Sequence, residues 1–77
     1  MNAIKRFKLY RELSFYQTIL VRYRAITQRI YELELKKNMS IFNKYEYNKL
    51  VLEKSTLEGR ASHAEQKIAE IQALLNR

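Results

Sequence analysis

Leu50, Leu57, Ala61, Ala64, Ile68, Ile71 and Leu75 follow one another at heptad spacing through the second half of this chain, with Lys54 occupying the remaining seam position. An apolar period near 3.5 residues belongs to a helix pressed along one line against another helix, and it excludes a strand, whose period is two. The first half repeats the pattern. Leu9, Leu13, Tyr16, Leu20, Tyr23, Thr27 and Ile30 step by fours and threes, and Ile19, Ile26 and Leu33 flank the same stripe. Two seams in 77 residues predict an all-α fold in which two long helices form an antiparallel coiled-coil hairpin.

The hairpin turn is expected at Lys36-Lys37-Asn38-Met39-Ser40. Two cations suit a helix C-terminus, Asn38 tolerates a left-handed residue after the last turn, and Ser40 can cap the next helix. Helix one is therefore placed at about 3–37, the turn at about 38–40 and helix two at about 41–76, one hairpin over residues 1–77. Folding back near Asn38 sets residues whose numbers sum to roughly 78 opposite one another. Small Ala61 and Ala64 then meet the Leu13–Gln17 region with its large Leu13 and Tyr16, as dense packing requires. At the open end Tyr10, Phe7 and Ile4 are expected against Ile68, Ile71 and Leu75. The same heptads also suit an extended parallel dimer, which buries both stripes. Ser55 and Glu58 have capping-box spacing and Gly59 weakens a helix interior by about 1 kcal/mol, yet the heptad phase runs through unbroken, so helix two is expected to be continuous. Lys54, on the seam, is expected to carry its ammonium outward to water.

Composition supports long helices, since the chain has no Pro and a single Gly, too few turn residues for a many-element fold. It has no Cys, so neither a disulfide nor a thiolate metal site is available, which fits a reducing compartment. No segment approaches the ~20 apolar residues that span a bilayer, and the basic start runs into Arg11 and Glu12 where a leader would be apolar. His63 stands alone without a second ligand or a triad partner, the Glu residues are scattered, and one Gly cannot form a phosphate loop. No catalytic residue, metal site or cofactor is expected, and function is sought in what the rod touches.

The net charge of +7 is concentrated in the first half, where residues 1–37 hold nine Lys and Arg against three Glu. Arg11, Thr18, Arg22, Ala25, Arg29 and Lys36 lie on one line of helix one, roughly opposite its seam at about 100° per residue. That line is a candidate basic rail for an acidic partner surface; its plainer role is a solvated face. Lys5, Arg6, Lys8 and Arg11 with Phe7 and Tyr10 make a basic-aromatic start, which suits a polyanion or membrane surface less well than packing of its aromatics along the seam. The candidate partner-binding residues are thus Lys5, Arg6, Lys8, Arg11, Arg22, Arg24, Arg29 and Lys36. Phe15 and Val21 fall off the seam and are candidates for a second docking surface.

Three segments carry a resemblance: Ile4-Lys5-Arg6-Phe7-Lys8-Leu9, Ile19-Leu20-Val21-Arg22-Tyr23-Arg24 and Gln66-Lys67-Ile68-Ala69-Glu70-Ile71-Gln72. In these the chain resembles the type III secretion ATPase stalk family, the InvI/YscO/FliJ-like coiled-coil proteins, whose members are usually longer. The resemblance implies an antiparallel hairpin standing at the centre of a hexameric secretion ATPase without hydrolysing ATP itself. It also implies an export-gate protein as second partner, secretion chaperones as further ones, and a bacterial cytoplasmic location at the face of a secretion apparatus. A basic rail suits a rod guided into an acidic ring lumen. Two other classes stay open: a basic helical module that binds nucleic acid, distinguished by steep salt dependence, and a small chaperone or scaffold subunit that becomes fully helical only with its partner. Nucleic acid is the less expected of these partners.

Overall fold

The computed structural model describes residues 2–77 as two helices, α1 (Ala3–Glu34) and α2 (Ile41–Leu75), folded into an antiparallel hairpin. It is a slender rod of 56 × 17 × 16 Å, about the length expected of a 35-residue helix at 1.5 Å per residue. Each helix opens on a side-chain cap that satisfies one of its free N–H groups. The Asn2 side chain accepts from the Lys5 N–H at 2.8 Å, and Ser40 Oγ accepts from the Asn43 N–H at 3.1 Å, as its position before the second seam foretold.

Helix α1 ends at Glu34, three residues short of the expected Lys37. The Leu35 N–H still donates to the Tyr31 carbonyl, but the Lys36 N–H reaches back only to Leu33, so the last turn tightens before the chain leaves the helix axis. Asn38 plays no left-handed capping role, because no described residue has a positive φ. Tightening at Leu35 and Lys36 does the work that a left-handed Asn38 was expected to do.

The antiparallel register follows the anticipated pairing. Tyr16 meets His63 edge-on with ring centroids 5.8 Å apart, Lys54 Nζ lies 5.9 Å from the centre of the Tyr23 ring, and Arg29 reaches Glu46. Ala61 and Ala64 are buried as the small side of the interface, and they pack with Leu20, Tyr16, Ile19, Tyr23 and Ile68, a cluster centred closer to the turn than Leu13. Helix α2 runs unbroken through Ser55 and Gly59. Lys54 is half-buried on the seam, and its ammonium, expected to reach outward to water, lies over the Tyr23 ring.

The seam of α1 is not straight. Ile26 and Leu33, expected beside the stripe, are its most deeply buried side chains at 1% and 0% exposure, while Thr27, expected within it, is only half-buried and returns its hydroxyl to the Tyr23 carbonyl. At about 100° per residue, Ile26, Ile30 and Leu33 lie well to one side of the line set by Leu9, Leu13, Tyr16 and Leu20. The buried face therefore turns around α1 as it nears the hairpin turn.

Candidate docking surface

The turning seam changes the roles of the basic residues. Near Leu9–Leu20 the Arg11–Arg22–Arg29 line is opposite the buried face, but near Ile26–Leu33 the buried face comes to within roughly a quarter turn of Arg29. Two arginines of the candidate rail thus reach the second helix. Arg22 Nη2 donates to both carboxylate oxygens of Glu53 at 2.9 Å. Arg29 donates through Nε and Nη2 to the two oxygens of Glu46, at 3.1 and 2.8 Å, and through Nη1 to Glu32 at 3.3 Å. The Arg29–Glu46 contact is the planar two-point match between guanidinium and carboxylate, which fixes geometry as well as charge.

Titration follows from these contacts. Hydrogen bonds to Glu46 and then Glu32 hold Arg29 further above its already high range, and the Arg29 hydrogen bond holds Glu46 below the usual carboxylate value. On the other side of the turn the Tyr47 hydroxyl donates to Glu34 at 3.1 Å, and that bond to a carboxylate raises the phenol. All three shifts record pairing within the hairpin. Arg22 and Arg29 act first as clasps between the helices, and the acids that receive them, Glu46 and Glu53, were not singled out in the sequence. Their signal was available: both lie three or four residues from the seam positions Leu50 and Leu57, at the flanks where coiled coils place interhelical partners.

The other candidate cations are distributed around the rod. Lys5, Lys8, Arg11, Arg24 and Lys36 form no ion pair among the described residues. Lys8 and Arg11 border a shallow groove on α1 with Glu12, Phe15 and Tyr16, and Lys5 and Lys8 border a second with Leu9 and Leu74 at the open end. Arg24 belongs to another depression, beside Tyr23, Gln28 and Tyr31. Arg6 lies over the Tyr10 ring and donates weakly to its hydroxyl at 3.4 Å. The eight residues therefore do not form one continuous stripe: two clasp the helices, five stand free on several sides, and Arg6 rests on its neighbour.

The aromatics of the open end are not consumed by packing. Phe7 and Tyr10, expected against Ile71 and Leu75, are exposed, as is Ile4, while Ile71 is buried without them. Geometry explains this, because Leu9 and Leu13 occupy the inward line of α1 and Phe7 and Tyr10 fall about 100° or more to its sides. Phe15 and Val21 are exposed as their positions implied. The open half of α1 consequently presents Ile4, Phe7, Tyr10 and Phe15 among Lys5, Lys8 and Arg11, an apolar surface interspersed with unpaired positive charge. A second exposed group gathers at the turn: Tyr31, Leu35, Ile41, Phe42 and Tyr45. It too was legible in principle, since none of the five occupies a heptad seam position.

Comparison of the chain with family models, with curated proteins and with solved structures finds no match. No helix is long and apolar enough to cross a membrane among the described residues.

Proposed function

We propose that the hairpin is a non-enzymatic docking rod that stands as the central stalk of a type III secretion ATPase. One observation carries the reading: a 56 Å rod only 17 Å across leaves Lys5, Lys8 and Arg11 unpaired beside exposed Phe7, Tyr10 and Phe15 at its open end. A slender body of this kind fits a central channel. Its free cations are drawn to an acidic lumen, and its aromatics supply area that is buried on contact. In this scheme the open end enters the ring, and the turn end points toward the export gate and the membrane. Arg22 and Arg29 keep the two helices together under load, Arg24 lies along the exposed shaft, and Lys36 lies at the turn end.

The test is the ATP hydrolysis rate and the oligomeric state of the secretion ATPase from the same organism, with and without the hairpin. Stimulation with a shift toward hexamers is expected. The triple variant K5E/K8E/R11E should lose both effects while retaining its helical circular dichroism and thermal midpoint. An ATPase whose rate and assembly are untouched by the wild-type hairpin at tens of micromolar refutes the stalk assignment.

A further inference from the structure

We propose that the turn end of the hairpin is a membrane-contact tip that binds the surface of an anionic bilayer. The tip comprises the last turn of α1, the connection and the first turns of α2. Ile41 and Phe42 are each 85% exposed, the most exposed large apolar residues in the described chain, and Leu35 and Tyr45 accompany them. They are grouped at one end of a 56 Å rod, where burial cannot come from the partner helix.

Charge identifies the occupant. Residues 35–45 contain Lys36, Lys37 and Lys44 and no acidic residue. None of these lysines makes a direct ion pair among the described residues; Glu46 is taken up by Arg29, with Lys36 adding a weaker attraction to it, and Glu34 accepts from the Tyr47 hydroxyl. An apolar wedge ringed by lysines matches an anionic lipid surface, with acyl chains receiving Ile41 and Phe42 while headgroups receive the ammonium groups. Tyr45 and Tyr31 suit the boundary, where one end of the ring is apolar and the other wet. A second copy of the tip is disfavoured, because it would bring two sets of three like charges together. Nucleic acid is the nearest competitor, because Phe42, Tyr45 and Tyr31 offer rings on which a base could stack, and Ile41 and Leu35, which offer none, favour acyl chains. The inference stands on the tip alone and does not require the ATPase assignment.

The experiment is sedimentation of the whole chain with vesicles of phosphatidylcholine alone and of phosphatidylcholine with about 30% phosphatidylserine, at low and high salt. Binding is expected to the anionic vesicles and to weaken with salt. The double variant I41S/F42S should weaken it roughly tenfold or more through lost apolar burial. Reversing Lys36 and Lys37 to Glu should weaken it by more than the roughly fivefold expected per neutralised lysine. Melting of each variant by circular dichroism confirms the fold; both sites are exposed, and Ser40 remains as the cap. A Phe42→Trp variant, introduced into a chain that has no Trp, should show a blue-shifted emission on anionic vesicles only. Equal binding to neutral vesicles overturns the proposal. So does loss of binding in K5E/K8E with I41S/F42S unaffected, self-association through the tip without vesicle binding, or retention of nucleic acid in preference to anionic lipid.

Discussion

Replacing Leu33 with Ala tests whether the seam truly turns toward Ile26 and Leu33. Leu33 is fully buried, whereas Leu35, two residues on, is exposed. Truncation removes about three carbons, worth roughly 0.8 kcal/mol each, and leaves a void that a two-helix structure closes only in part. A loss of about 2–3 kcal/mol is therefore expected. At roughly 0.05–0.15 kcal/mol per residue, the whole chain is worth about 4–12 kcal/mol, so this one change removes a large share of its stability. The assay is urea unfolding followed by helical circular dichroism. With a slope near 1 kcal/mol per molar for so small a protein, the midpoint should fall by about 2–3 M with the slope unchanged. Leu35→Ala is the internal control and should stay within about 0.5 kcal/mol of wild type. The wild-type midpoint should not depend on protein concentration, because the interface is within one chain. Equal effects of the two substitutions, or a midpoint that rises with concentration, refute the burial pattern and the intramolecular hairpin respectively.

Other expectations are simpler to state. A Cβ built on Gly59 meets nothing within 4 Å, so Gly59→Ala should stabilise by about 1 kcal/mol and raise the thermal midpoint by roughly 5 °C; a lower midpoint would mean that α2 bends there. Arg29→Glu should lower the midpoint by a few degrees at low salt through repulsion with Glu46 and Glu32, and adding Glu46→Arg should recover part of the loss; absence of recovery would show that the clasp does not form. Glu46 has a folded pKa below its ordinary 4.5, so its contribution is complete above that pH and is lost as pH falls through the lowered value. Tyr47 is shifted the opposite way, above 10, so its contribution is complete below pH 10 and is lost as pH rises beyond it. Urea midpoints across both limits, compared with Glu46→Gln and Tyr47→Phe, measure each edge, and unchanged edges in those variants would remove both assignments.

Much of the hairpin was legible because helical periodicity is a local property. The spacing of Leu57, Ala61, Ala64, Ile68 and Ile71 marks one face of a helix whatever lies opposite, and Ser40 marks a helix start through a bond to a residue only three positions on. The free cations at Lys5, Lys8 and Arg11 could also be anticipated, since few acids lie nearby in sequence. The exposure of Phe7 and Tyr10 was legible as well, since both fall well off the line of Leu9 and Leu13 at about 100° per residue, and expecting them against Ile71 and Leu75 weighed apolar character above that angle.

What the sequence determined alone was two helices, the capped start of the second and the approximate register in which they meet. Tertiary structure decided where the buried face runs on α1, and with it the role of each arginine. Seven residues span slightly less than two turns of a straight α-helix, so a fixed heptad line drifts by about 20° per heptad, and burying Ile26 and Leu33 in place of Thr27 carries the buried face further round in the same direction. That choice depends on the neighbouring helix. Once made, it carries Arg29 to Glu46 and Arg22 to Glu53, and it leaves the basic-aromatic open end and the turn tip facing outward.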